Sequence, residues 1–229
     1  MNAKILEIFH SIQGEGKYVG VAQVFVRFFE CNMHCRWCDT PNSIGDGRRE
    51  FKEYCARELF DTIKHLWQDC HSVSLTGGEP LLQKEFIAKF IPYLKKARMP
   101  VYLETNGIFF KELEEIIDDI DIIAADIKFP SSTQCRAYWK EHERFLKVAR
   151  QKDVFIKAVV TSDTKEEDVK TAVEIVAGID PQIVFFLQPN HFEVRNGALL
   201  KCLTFQKYCA RYLKDVRVLP QVHKFIKMR

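Results

Sequence analysis

Apolar and polar residues recur along this chain with two different periods, and the switches between them predict its elements. Short runs rich in β-branched and aromatic residues read as strands at 23–28, 72–75, 101–104, 122–126, 154–160 and 183–187, with a weaker seventh at 216–219. Between them the apolar spacing becomes helical. Leu59, Ile63, Leu66 and Trp67 mark an amphipathic helix within 50–69, and Phe86, Ile87, Phe90, Ile91 and Leu94 mark the next, which Pro92 is expected to kink. Further helices are expected at 111–118, 132–150, 165–177 and 197–212. This alternation predicts an α/β chain with a parallel sheet and crossover helices, and no repeat, linker or low-complexity segment divides residues 1–229 into more than one domain.

Parallel α/β architectures gather their ligands beyond the C-terminal ends of the strands. The polar signals of this chain fall at that end. The first strand runs into Cys31, the second into Thr76-Gly77-Gly78-Glu79-Pro80 and the third into Glu104-Thr105-Asn106-Gly107. The fourth ends in Asp126-Ile127-Lys128, the fifth carries Lys157, and the sixth ends in Gln188-Pro189-Asn190. Gly-Gly and Asn-Gly are ordinary turn formers, but turn formation alone does not place polar residues at the same end of every strand.

Composition narrows the functional classes. With 229 residues, 47% hydrophobic and 28% charged, the chain can bury one good-sized core. Its net charge of +3 comes from 34 basic and 31 acidic residues that are interspersed, so no basic stripe points to nucleic acid. Residues 1–10 lack the apolar core and cleavage site of a signal peptide, and no apolar run approaches the roughly 18 residues of a membrane span, so a membrane role is not expected. Eight cysteines are too dilute here for a disulfide scaffold, which points to a reducing, cytoplasmic setting.

Cys31, Cys35 and Cys38 lie within eight residues, in the run Cys-Asn-Met-His-Cys-Arg-Trp-Cys-Asp-Thr, and must converge on one metal centre. Iron–sulfur clusters take about one thiolate per iron, so three could hold a four-iron cluster and leave one iron open to a substrate or cofactor. A zinc knot completed by His34 or a remote histidine is the alternative, although the second Cys or His pair usual in such sites is missing. Cys55, Cys70, Cys135, Cys202 and Cys209 are scattered singly, and Cys55, Cys202 and Cys209 lie within helical patterns where a free thiol packs as a small hydrophobe.

The Cys-x3-Cys-x-Trp-Cys run followed by Gly77-Gly78-Glu79-Pro80 resembles the signature of the radical S-adenosylmethionine (SAM) enzymes. The resemblance implies a single-domain, incomplete parallel (β/α)6-type barrel, with Cys31, Cys35 and Cys38 as ligands of a 4Fe-4S cluster and SAM chelating the fourth iron. It further implies that the backbone at Gly77, Gly78 and Glu79 meets the cofactor's amino group, that Trp37, Cys38 and Asp39 line its adenosine half, and that Asp126, Ile127 and Lys128 form another cofactor-binding strand end.

A narrower resemblance covers nearly the whole chain. The segment Phe9-His10-Ser11-Ile12-Gln13-Gly14-Glu15-Gly16, Arg27 four residues before Cys31, Thr40 after Cys38-Asp39, and Leu219-Pro220-Gln221-Val222-His223-Lys224 resemble the 7-carboxy-7-deazaguanine synthase family. That family is a group of carbon–nitrogen lyases acting on 6-carboxytetrahydropterin in 7-deazapurine, queuosine-type biosynthesis. The resemblance implies that Ile12, Gln13, Gly14 and Glu15 read the 2-amino-4-oxo edge, that the planar fork of Arg27 meets the substrate carboxylate, and that Thr76 and Gln188 add contacts. It makes the Thr40 hydroxyl a ligand of Mg²⁺, an ion that keeps several waters and borrows ligands from its substrate. On residues alone, Arg27 could be a strand-end surface charge, residues 12–16 a glycine turn and Thr40 a turn cap. His223 could help close the site.

By the same resemblance, a cofactor-derived radical takes hydrogen from substrate C6, the skeleton contracts and ammonia leaves. A homodimer and a flavodoxin-like reductant are expected partners. The chain departs from the family in the loop after the cluster, residues 41–49, where aromatic residues are common, and in Asn190-His191. Two other functions compete: a glycyl-radical-enzyme activase, which would not need Arg27, the Gln-Gly-Glu-Gly loop or Mg²⁺, and a non-catalytic zinc or iron–sulfur module.

Overall fold

Seven strands run parallel: β2 (Ala22–Phe28), β4 (Ser72–Gly77), β5 (Val101–Thr105), β6 (Ile122–Asp126), β7 (Asp153–Val160), β8 (Val184–Pro189) and β9 (Val216–Val218), neighbouring one another in chain order. Helices α1 (Ala56–Leu66), α2 (Lys84–Lys96), α3 (Phe110–Ile116), α5 (Trp139–Ala149), α6 (Glu166–Ile179) and α7 (Leu199–Cys209) make the crossovers, with the short α4 (Pro130–Thr133) preceding α5. This is a computed structural model describing residues 1–45 and 51–228. Among those residues the sheet has nine strands and does not close into a full barrel. No described helix is long and apolar enough to cross a membrane.

Alternation along the strands sorts their side chains into two environments. Val73, Leu75, Val101, Leu103, Ile123, Ile156 and Leu187 pack outward against the helices in the main core. On the other face, Tyr102, Ala124, Phe155 and Phe186 form a small apolar cluster with Tyr18 against it. The loop leading into β2 rests on this floor at Gly16, where φ is +64° and a Cβ would lie 2.1 Å from the Phe155 ring. Only glycine meets both conditions.

Two strands lie outside the expected set. β1 (Ala3–Ile12) pairs antiparallel with β2, and β3 (Lys52–Tyr54) pairs antiparallel with β1. The register of β1 shifts between Ile5 and Glu7, which breaks the alternation that would have exposed it as a strand. The expected helix at 50–69 is correspondingly shorter. Its start at residue 50, like positions 46–49 of the loop after the cluster, lies outside the described residues, and 52–54 extend the sheet. α1 begins only at Ala56, where the Cys55 N–H donates to the Glu58 carboxylate at 2.9 Å, so Cys55 caps this helix rather than lying within it. The helix expected at 132–150 is two, because Gln134 takes a left-handed conformation (φ +60°) after α4. Pro92 does not end α2, which continues to Lys96.

Candidate active site

Each of six parallel strands sends one polar side chain inward above the aromatic floor: Arg27, Thr76, Glu104, Asp126, Lys157 and Gln188. Together they line a cavity of about 190 Å³. Its lining includes Ile12, Gln13, Gly14, Glu15, Cys31, Cys35, Trp37, Cys38, Asp39, Thr40, Gly77, Gly78 and Lys128 as well, so most residues singled out from the sequence come together. Glu79 and Ile127 do not reach the cavity; both are buried behind it, at 0% and 2% exposure.

The three cysteines lie on the loop that follows β2. Backbone bonds fix that loop, from the Cys31 N–H to the Ile44 carbonyl (3.2 Å) and from the Arg36 N–H to the Thr133 carbonyl (3.0 Å), while the Trp37 indole donates to Ser132 Oγ at 2.8 Å. Burial pushes the Cys31 thiol up to about 11 and the Cys35 thiol to about 12. Thiols held this high stay neutral near pH 7, and a metal binding there would have to displace their protons. Among the described residues, no three His, Cys, Asp or Glu side chains are gathered so as to hold a single ion. Cys31, Cys35 and Cys38 all line one cavity, where each could meet a different iron of a multi-iron cluster.

Thr40 is the residue before the turn Pro41–Ser43, yet its side chain makes no capping bond; the turn is closed by its carbonyl, which accepts from the Ser43 N–H at 2.9 Å. Its hydroxyl, 3.9 Å from Cys38 Sγ, accepts from Ser43 Oγ at 3.3 Å.

The glycine pair after β4 answers to packing. A Cβ on Gly77, where φ is +133°, would lie 2.2 Å from the Phe28 carbonyl oxygen, and one on Gly78 would lie 2.1 Å from that of Glu30. Glycine lets this segment press against the backbone that leads into the cysteine loop. The N–H groups of Gly78 and Glu79 are spent on those same carbonyls, at 3.0 and 2.9 Å, so the segment can offer a bound amino group only carbonyl oxygens. The Glu79 side chain accepts from the N–H groups of Asn106 and Leu81 and from the Thr105 hydroxyl. Burial raises its pKa to about 7 despite those donors.

At the opposite wall, Gln13 is inward-facing and committed. Its amide nitrogen donates to Gln23 Oε1 (3.0 Å) and Glu104 Oε1 (2.8 Å), and its oxygen accepts from the Glu15 N–H. Glu104 also accepts from Ser74 and Thr76. Arg27 donates from Nε to Glu7 at 2.7 Å and lies over the Phe9 ring. Glu15 reaches Lys157 (2.5 Å) and Gln221 (2.7 Å). Gln221, just ahead of α8 (Val222–Phe225), also donates to Asp39 at 3.0 Å, and Lys224 lies 3.4 Å from the same carboxylate. Burial works to raise both carboxyls, but Lys157 and Gln221 beside Glu15, and Gln221, Lys224 and Arg27 beside Asp39, hold both below the usual range. His223 stands over Gly14, where a Cβ would meet its ring at 2.1 Å, so the C-terminal segment roofs this wall.

Glu104, Lys157 and Gln221 complete the site; the sequence marks the first two as polar strand-end residues and the third as part of the C-terminal family segment, but gives none of them a role. Their part in it follows from parity: Glu104 and Lys157 share the inward parity of their strands, and a lysine inside Phe-Ile-Lys-Ala-Val-Val needs a buried partner. Lys157 has Asp126 and Glu15, which, with Glu104, outweigh burial and keep it charged. Behind the cavity, His142 of α5 fixes the end of β6, its ring bonded to the Gly107 carbonyl (3.0 Å) and accepting the Lys128 N–H (3.2 Å).

The Radical SAM superfamily pattern matches residues 26–176. A 7-carboxy-7-deazaguanine synthase from Geobacter sulfurreducens is 38% identical over 98% of this chain and 97% of its own. One from Archaeoglobus fulgidus is 35% identical over the full length of both. Among solved structures, QueE from Escherichia coli superposes with a TM-score of 0.65 at 21% identity, covering 97% of this chain and 95% of that one, and so shares the fold. TYW1 with a lysine–pyruvate adduct gives 0.60 at 14% identity, covering 83% and 74%.

Proposed function

Since the chain belongs to the radical SAM superfamily and, within it, to the 7-carboxy-7-deazaguanine synthases, we propose a division of labour among its residues for the ring contraction of 6-carboxytetrahydropterin to 7-carboxy-7-deazaguanine with loss of ammonia. The observation that carries it is the single cavity in which three thiols face a ring of inward polar side chains from six strands. When bound, the 4Fe-4S cluster and SAM supply the radical that takes hydrogen from substrate C6.

Cys31, Cys35 and Cys38 hold the cluster. Trp37, Asp39, Gly77, Gly78, Asp126 and Lys128 line the cofactor's place, and Glu79 and Ile127 serve it from behind, Glu79 by fixing the Asn106 backbone and Ile127 by its N–H bond to the Lys157 carbonyl. Ile12, Gln13, Gly14 and Glu15 form the wall that receives the pterin edge, with Gln13 acting through Glu104. Arg27 neutralises the substrate carboxylate beside the Mg²⁺ that Thr40 helps to hold, and Thr76 and Gln188 complete the cup. Gln13, Thr76 and Glu104 are already bonded to one another, so this part of the wall needs little reorganisation when the substrate enters, which keeps C6 in place and water out. The chain works as one domain, as a cytoplasmic homodimer reduced by a flavodoxin-like donor and without nucleic-acid or membrane partners.

The test is an anaerobic assay of cluster-loaded protein with SAM, Mg²⁺, dithionite and 6-carboxytetrahydropterin. Formation of 7-carboxy-7-deazaguanine by mass and absorbance supports the reading. Release of 5′-deoxyadenosine without a deazapurine would show that the substrate is wrong.

A further inference from the structure

We propose that Lys157 is a positioning residue whose ammonium group moves between Glu15, on the substrate wall, and Asp126, at the cofactor strand end, and thereby links the binding of the two ligands; this rests on the roles proposed above. The ammonium lies 2.5 Å from Glu15 Oε2 and 3.7 Å from Asp126 Oδ1. Asp126 Oδ1 is buried with no hydrogen-bond partner, whereas Oδ2 receives Lys128 at 2.8 Å. An unmade bond at a buried carboxylate oxygen is costly, more so than at a neutral group. An ammonium has donors enough for both carboxylates, but a shift of about 1 Å toward Asp126, which would satisfy that oxygen, lengthens the contact to Glu15.

The two positions answer to different ligands. A pterin edge presenting N–H donors competes with Lys157 for Glu15, which already holds Gln221 on its other oxygen. Once Glu15 turns to those donors, the ammonium is free to complete the Asp126 shell. That anchors the strand end whose Lys128 lies 5.0 Å over the Trp37 ring and whose backbone is held by His142. Asp126 and Lys157 are direct neighbours in the β6–β7 register, so the movement needs no change in the sheet. Linkage is reciprocal: if the pterin favours the Asp126 position, a cofactor that needs that position tightens pterin binding by the same factor.

Equilibrium binding of SAM to the cluster-loaded protein, without reductant, is measured with and without 6-carboxytetrahydropterin. The pterin should tighten SAM binding by about fivefold or more in the wild type. In Lys157→Met each ligand should still bind while that factor falls to near one, and Lys157→Arg should restore part of it. Asp126→Asn, which keeps the Glu15–Lys157 pair but weakens the pull on the ammonium, should reduce the factor too, and it carries the test alone if Lys157→Met fails to fold. A factor unchanged in the variants that fold, or absent from a wild type that binds both ligands, overturns the proposal and leaves the function standing. A wild type that binds SAM but not the pterin overturns the functional reading and the proposal with it.

Discussion

At Gln13 every polar atom of the side chain is spent inside the protein, on Gln23, Glu104 and the Glu15 backbone. Gln13→Ala is therefore expected to act by loosening Glu104 and the loop that carries Glu15. One lost bond to a charged group is about 1.5–3 kcal/mol, so KM for the pterin should rise roughly tenfold or more with a smaller change in kcat; an unchanged KM would show that Gln13 does not hold this wall. The cysteines divide in the same concrete way. Cys35 lines the cavity, whereas Cys55 lies half-buried away from it at the start of α1, where its backbone N–H, which alanine retains, donates to Glu58. Cys35→Ala should abolish the cluster's visible absorbance after reconstitution, and Cys55→Ala should leave both absorbance and turnover near wild type. Equal loss in both would undo the ligand assignment.

Among the elements, α5 shows a helix serving the site from behind. His142, buried and bonded to Gly107 and Lys128, has its pKa pushed down from 6.5 to about 4, with burial the largest cause. Between those values the unfolded chain binds more protons than the folded one. The stability held by the neutral ring is thus complete above about pH 6.5 and is lost as pH falls toward 4, by about 3 kcal/mol in all. Thermal melts of wild type and His142→Gln should differ most at pH 7.5 and converge near pH 4.5; a gap independent of pH would refute the linkage. The central strands and most helices were legible because their apolar periods are unbroken. β1 was not, since its register shift hides the alternation, and β3 was not, since Lys52-Glu53-Tyr54 is an edge strand whose side chains are largely exposed and carry no inward pattern. The division between α4 and α5 turns on one left-handed residue, Gln134, of a type with no special preference for that conformation.

For the molecule as a whole, the cavity is closed by side chains from distant parts of the chain, although the sheet stays open. Gln221 ties Glu15 to Asp39, Val222 donates from its backbone to the Gly14 carbonyl at 2.9 Å, and His223 covers Gly14. Deleting residues 220–229 leaves β9 intact and should retain the cluster's absorbance while weakening pterin binding by at least about tenfold, or 1.4 kcal/mol; titration of the loaded variant with the pterin is the measurement, and unaltered affinity would show that the roof plays no part. The motifs announced the cysteine loop and the glycine segment, but bonds such as Glu15–Lys157 and Gln221–Asp39 join positions far apart in sequence, where no local spacing foretells them. The close backbone approach at Gly77 and Gly78 also bears on how such chains diverge. Since a Cβ at either position would strike the carbonyls of Phe28 or Glu30, the fold demands these glycines whether or not a cofactor is ever bound. A descendant that had given up catalysis would still be selected to keep its Gly-Gly pair, so survival of the three cysteines, which no packing contact requires in this way, is the sounder mark of a relative that remains active.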